Sequence, residues 1–203
     1  VHIPDGFLDT RTILTTSAIS AGALYVAVRK INQHFSPYKV PLMGVLASFA
    51  FVAQLLAFPV VGGTSAHITG AVLLAVILGP YTSLVIIALI LVLQALLFQH
   101  GGILTLGANV LNLGVMGSLL GYLIYRIKRN FLMAGVASFL ALVAGGVCGA
   151  AELAISGRLP FHAAVISMTS AQAITGVVEG FVTFSVLAVI QSVRPDLLSL
   201  EKI

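Results

Sequence analysis

Apolar residues fill seven blocks of this chain, at about 12-28, 42-61, 68-79, 81-98, 103-125, 131-153 and 163-193, and polar or turn-forming residues gather in the short stretches between them. Crossing about 30 Å of hydrocarbon takes about 20 apolar residues as an α-helix. Six blocks therefore predict full spans, while the third, 12 residues ending at Gly79-Pro80, is short enough to be a re-entrant helix. Parity favours a span. The basic clusters Arg29/Lys30/Lys39 and Arg126/Lys128/Arg129 share one side only if an even number of crossings separates them, and four do when the third block crosses. Basic loops face the cytoplasm. Arg194 and Lys202 join them there, placing eight basic residues inside against two outside, Arg11 and Arg158. The expected fold is an all-α polytopic membrane bundle of about seven transmembrane helices, a single integral membrane domain over 1-203, with its N-terminus outside and its C-terminus cytoplasmic.

Composition agrees with lipid as the solvent. At 59% apolar residues, 8% charged and a mean hydropathy of +1.12, the chain lacks the polar surface to cover a soluble globule. The net charge of +4 sits in loops beside apolar runs and marks orientation, so no nucleic-acid partner is expected. The opening V-H-I-P-D-G-F-L-D-T-R has no basic start before an apolar run, so it is expected to be a built part of the protein and not a signal peptide. Cys148 is the single cysteine and permits no disulfide framework. The spacings Gly117/Gly121, Gly145/Gly149 and Gly176/Gly180 predict close helix packing. The chain contains neither a G-x-x-x-x-G-K-[ST] loop nor an H-E-x-x-H pair, which leaves no P-loop ATP site and no zinc-hydrolase signature. Glu152, near the outer end of its span, is expected to snorkel; Glu179 lies deeper, and either pairs across helices or faces a partner subunit.

Four of the five histidines, His2, His67, His100 and His162, fall on the predicted outer side, and only His34 faces inward. An N-terminal X-His dipeptide offers the amine of Val1, the deprotonated backbone nitrogen of His2 and Nδ1 of its imidazole, three corners of a square closed by two chelate rings. His67 is the candidate for the fourth corner. Square-planar nitrogen ligation suits Ni(II) or Cu(II), whereas Zn(II) prefers a tetrahedron and Mg(II) or Ca(II) oxygen. Thr64, Ser65, Gln99 and Asn109 lie on the correct side to hydrogen-bond these imidazoles or the N-terminal loop. His100 is either a further ligand on the access path or a loop-stabilising residue. Asp5 is placed to hold the N-terminal turn and to attract a cation.

The motifs H-I-P-D-G-F-L at 2-8, G-T-S-A-H-I-T-G at 63-70, Q-A-L-L-F-Q-H-G-G-I-L-T-L-G-A-N at 94-109 and A-E-L-A-I-S-G at 151-157 resemble those of the CbiM/NikM family over nearly the whole chain. The resemblance implies the substrate-binding S component of a cobalt or nickel energy-coupling factor transporter in the prokaryotic plasma membrane. It implies that an N-terminal segment, here 1-11, inserts into a seven-helix bundle and binds Ni(II) or Co(II) as substrate through Val1, His2 and His67. A transmembrane T component, a pair of cytoplasmic ATPases and a small accessory membrane subunit are the implied partners. Three stretches depart from the family pattern, at four positions: Val1 where the family begins with Met, Gln172 and Thr175 within Q-A-I-T-G-V-V-E where its last span resembles H-A-x-I-G-x-x-E, and Leu104 where a polar residue is usual. The other classes to weigh are a stand-alone ion-coupled permease, for which related halves and midplane polar sites are not evident, and a membrane metal sensor. Irving–Williams ordering leans to nickel over cobalt.

Overall fold

The computed structural model describes residues 2–33, 36–55, 58–60 and 64–202, and their side chains except at 38, 58–60, 64–66 and 199–202. Val1, His34 and the 61–63 part of the glycine-rich turn lie outside the described residues. Among the described residues, and apart from short 3-10 stretches at Pro37–Lys39 and Pro195–Lys202, seven helices follow one another: α1 Thr10–Gln33, α2 Val40–Leu55, α3 Ala71–Leu78, α4 Pro80–Phe98, α5 Leu106–Tyr125, α6 Phe131–Ile155 and α7 Phe161–Val193. Between α2 and α3 a small antiparallel hairpin pairs β1 Phe58–Val60 with β2 Thr64–Ala66, Phe58 opposite Ala66. Local chemistry sets several helix starts. Asp9 caps α1 by accepting the Thr12 amide at 2.9 Å, Asn130 caps α6 by accepting that of Met133 at 2.7 Å, and Pro80 opens α4 where its missing N–H is no loss. Over Val110–Leu120 the hydrogen bonding of α5 widens to the rare π pattern.

The third apolar block departs from expectation. Only eight residues, A-V-L-L-A-V-I-L, are helical, and eight residues rise about 12 Å, far short of a bilayer. All eight are buried inside protein, as a helix apolar all round should be. The non-helical 67–70 segment that leads into α3 is likewise largely buried in the bundle. Its exposed backbone groups need partners at that depth, and Glu179 of α7 supplies them. The Glu179 carboxylate, 1% exposed, accepts the Thr69 amide at 2.8 Å, the Thr69 hydroxyl at 2.6 Å and the Gly70 amide at 3.0 Å. Glu179 therefore pairs within the bundle, with the non-helical lead-in to α3 and not with another helix. Glu152 does not snorkel: at 5% exposure it accepts the Asn112 side-chain amide at 2.8 Å.

The ends of the bundle follow from these contacts. Asp9 at the head of α1 meets Ser156 at the foot of α6, Ser20 donates to the Gly107 carbonyl at the head of α5, and Gln54 at the foot of α2 meets Gln94 near the foot of α4. Hence α1 and α5 both run away from that end, and α2 begins at the opposite one. Arg29, Lys30 and Lys39 thus share the far end with Arg126, Lys128 and Arg129, as four crossings require. The glycine spacings mark real close approaches: a β-carbon on Gly121 would lie 2.5 Å from Val72, and one on Gly180 2.7 Å from the Gly135 carbonyl. Leu93, Leu96 and Leu97 on α4 and Val177 and Phe181 on α7 form an exposed apolar exterior suited to lipid.

Candidate metal centre

Residues 2–9 form an arm tucked into the end of the bundle where α1 and α5 begin. Its apolar anchors Ile3 and Leu8, 2% and 4% exposed, pack with Ala108 and Leu153. Asn109 brackets Ile3, accepting its amide at 2.7 Å and donating to its carbonyl at 3.1 Å; the Thr105 hydroxyl and the Gly102 amide donate to the same carbonyl. Asp5 was expected to hold its own turn. Instead its carboxylate accepts the amides of Ile103, Leu104 and Thr105 at 3.0, 2.9 and 3.2 Å, an anion on the free N–H groups ahead of α5. A β-carbon on Gly102 would overlap Asp5, so this approach requires glycine.

The arm delivers His2 to the point where the 67–70 segment and the foot of α4 meet. Its Nδ1 lies 2.9 Å from Nε2 of His67, and its Nε2 lies 3.0 Å from Oε1 of Gln94. His67 is 6% exposed, and its Nδ1 is buried with no hydrogen-bond partner among the described residues. His100 completes the cluster. Gln99 takes a left-handed turn at φ 52°, the His100 amide donates to the Gln94 carbonyl at 3.1 Å, and the His100 ring comes within 4.2 Å of His2 and 5.7 Å of His67, centre to centre. One nitrogen from each of the three rings lies within 4.8 Å of the others.

This spacing is what a small metal ion needs. Two nitrogens bound at about 2.0 Å and at right angles lie about 2.8 Å apart, and His2 and His67 already stand at 2.9 Å. Burial holds His67 neutral, its pKa lowered to about 3, and lowers that of His2 well below the usual imidazole range. Both rings therefore keep lone pairs available at neutral pH. The same shifts make docking of the arm pH-dependent. Below about 6.5 the undocked, solvated His2 imidazole binds a proton that the docked one does not, so docking is at full strength above about 6.5 and weakens as pH falls below it. The protection factor of the Ile3 amide against hydrogen exchange should be constant from pH 8 to 7 and collapse by pH 5; protection unchanged at pH 5 would contradict this.

Other expected residues fall elsewhere. Gln99 is exposed and serves the turn, His162 is exposed and outside the cluster, and the side chains of Thr64 and Ser65 are not described. Sequence reasoning missed the polar groups that support the histidines. Gln94 and Gln54, 0% and 1% exposed, are hydrogen-bonded at 3.2 Å, and Gln54 donates to the Thr69 carbonyl at 2.9 Å. The signal was present, since a glutamine in the middle of an apolar span must find a partner.

A lipid-facing bundle that closes one end over three converging imidazoles defines a membrane protein for handling a metal ion. The chain belongs to the CbiM family, cobalt uptake substrate-specific transmembrane region, whose model matches residues 2–197. It is 34% identical to a putative metal transport protein of Haloquadratum walsbyi over 97% of this chain and 93% of that one. It is 33% identical to the cobalt transport protein CbiM of Geobacter sulfurreducens and 32% to the fused nickel transport protein NikMN of Rhodobacter capsulatus, covering 98% of this chain in both cases and 62% and 64% of theirs. A crystal structure described as a truncated transition metal transporter superimposes with a TM-score of 0.88 at 32% identity, over 95% of this chain and 99% of that one. The chain is a multi-pass component of metal transport in the prokaryotic plasma membrane, not an enzyme.

Proposed function

We propose that this chain captures Ni(II) or Co(II), nickel in preference, at the outer face of the membrane, as the substrate-specific component of an ATP-driven energy-coupling factor transporter. The observation that carries the reading is the 2.9 Å separation of His2 Nδ1 and His67 Nε2, a pair of cis ligand positions. Where Val1 is the first residue, its amine and the His2 backbone nitrogen complete a square of four nitrogens, and the arm 1-11 is the metal-binding part of one integral membrane domain. Asp5 and Asn109 hold that arm, and His100, less buried than His67, receives the ion on its way in. Eight basic residues at the far end put that end in the cytoplasm.

A site of chelating nitrogens releases its ion slowly, so inward delivery needs work from outside this chain, which has no P-loop. A transmembrane T component and a cytoplasmic ATPase pair, with a small accessory membrane subunit, would supply it. The fused naming of the Rhodobacter capsulatus relative supports a second transport protein acting with this one.

The three-ring cluster favours a second reading, a site of His2, His67 and His100 that leaves the amine unused. Ni(II) titration of three forms separates the two: the chain beginning at Val1, the same chain with one residue ahead of Val1, and His100→Ala. The proposed site gives a yellow, square-planar one-to-one complex whose visible band is changed by the added residue, while His100→Ala alters affinity by less than about tenfold. Indifference to the added residue together with loss of binding in His100→Ala would sink the four-nitrogen square.

A further inference from the structure

A carbonyl oxygen of the backbone can only accept a hydrogen bond, and that one fact sets the direction of every bond between Thr69 and His2. The Thr69 carbonyl must receive the Nε2 hydrogen of Gln54, at 2.9 Å. Gln54 then has only Oε1 to offer Gln94, whose Nε2 donates to it at 3.2 Å. Gln94 is left facing His2 with Oε1, an acceptor, at 3.0 Å from the ring Nε2. The His2 Nε2 must therefore carry the proton, its Nδ1 must be bare, and the 2.9 Å contact to His67 is a donation from His67 Nε2. Reversing the Gln54–Gln94 link would set like groups face to face at a site from which water is excluded, since Gln54 and Gln94 are 1% and 0% exposed.

We propose that Gln94 and Gln54 are positioning residues that fix His2 in its Nε2–H tautomer, leaving Nδ1 as the nitrogen bared toward His67 before any metal arrives. This rests on the reading of His2 and His67 as ligands. The chelate through the chain end can use only Nδ1 of His2, because Nε2 points away from the backbone nitrogen. A proton on Nδ1 would block that chelate. A hydrogen-bond acceptor on the ring's far nitrogen also orients the imidazole and makes it a better donor to a metal. The relay is anchored beyond Thr69, whose own amide and hydroxyl donate to Glu179, so the tautomer of a residue in the arm is dictated by α2, α4 and the lead-in to α3.

The test is the 15N spectrum of histidine-labelled apo protein, in which protonated and bare ring nitrogens resolve, with the His2 signals identified by their absence from His2→Ala. The wild type should show a single Nε2–H tautomer. Gln54→Met, at a residue whose hydrogen bonds go to Thr69 and Gln94 and to no described histidine, frees the Gln94 amide to turn over and should populate both tautomers of His2. Gln94→Met should do the same and lower Ni(II) affinity by about 10- to 100-fold, the usual effect of losing the partner of a ligating histidine. A simple packing role would reduce thermal stability and leave the tautomer alone. Where Gln94→Met does not fold, Gln54→Met carries the test. A His2 ring that stays wholly Nε2–H in the variants overturns the relay. Mixed tautomers with unchanged Ni(II) affinity in Gln94→Met would leave the relay standing as structure and overturn the assignment of His2 as a ligand.

Discussion

Replacing His67 by alanine is expected to lower Ni(II) affinity by about 100- to 1,000-fold while leaving the apo protein folded. Four-ligand structural metal sites have apparent binding free energies of about 10–16 kcal/mol, or about 2.5–4 kcal/mol per ligand, and each 1.4 kcal/mol is about a factor of ten. No other described side chain is placed to substitute fully, because His100 is carried on the turn after α4 and its ring centre lies 5.7 Å from that of His67. The apo fold should tolerate the change. His67 Nδ1 has no partner among the described residues, and its Nε2 meets His2, so the substitution breaks one side-chain bond and loses about 1–2 kcal/mol. Chelator competition for Ni(II) beside a melting curve reads both quantities. Wild-type affinity in this variant would remove His67 from the site.

Glu179→Leu should act in the opposite order, through stability first. A single carboxylate accepts both the Thr69 and the Gly70 amides, and it takes the Thr69 hydroxyl as well. Bonds to a charged acceptor contribute about 1.5–3 kcal/mol each, so losing three at full burial should destabilise by about 4 kcal/mol or more, and lower the melting temperature by about 10 °C. Because Thr69 is two residues from His67, the freed segment should also cost about tenfold in Ni(II) affinity. Glu179→Gln keeps one acceptor oxygen and should recover part of both. A melting temperature within about 2 °C of the wild type in Glu179→Leu would show that the segment is held by packing alone.

The two carboxylates illustrate what a sequence conceals. Glu152 and Glu179 both stand in apolar runs, and hydropathy says only that each needs a partner. Glu152 finds the side chain of Asn112, and Glu179 finds backbone amides 109 and 110 residues away, on a segment that reads as a plain apolar span. The same blindness affected the glutamines. Gln99 lies on the correct side yet is exposed, whereas Gln94, more than one helical turn earlier and facing inward, is the residue that reaches His2. Along a helix a side chain's direction depends on its phase, and in an apolar helix that phase carries little signal: lipid and protein interior both accept leucine. Asn109 was legible as a residue placed to hydrogen-bond the imidazoles or the N-terminal loop, and its two bonds go to the Ile3 backbone of that loop.

By itself, the sequence determined the solvent, the number of helices, the shared side of the two basic clusters and the types of side chain at the metal-facing end. These follow from composition, from block length and from charge, all of which act on each segment separately. The short buried α3, the arm folded into the bundle and the approach of His2 to within 2.9 Å of His67 were decided only by tertiary structure. Each depends on partners distant in sequence satisfying buried polar groups, and in a bilayer such groups have no water to fall back on.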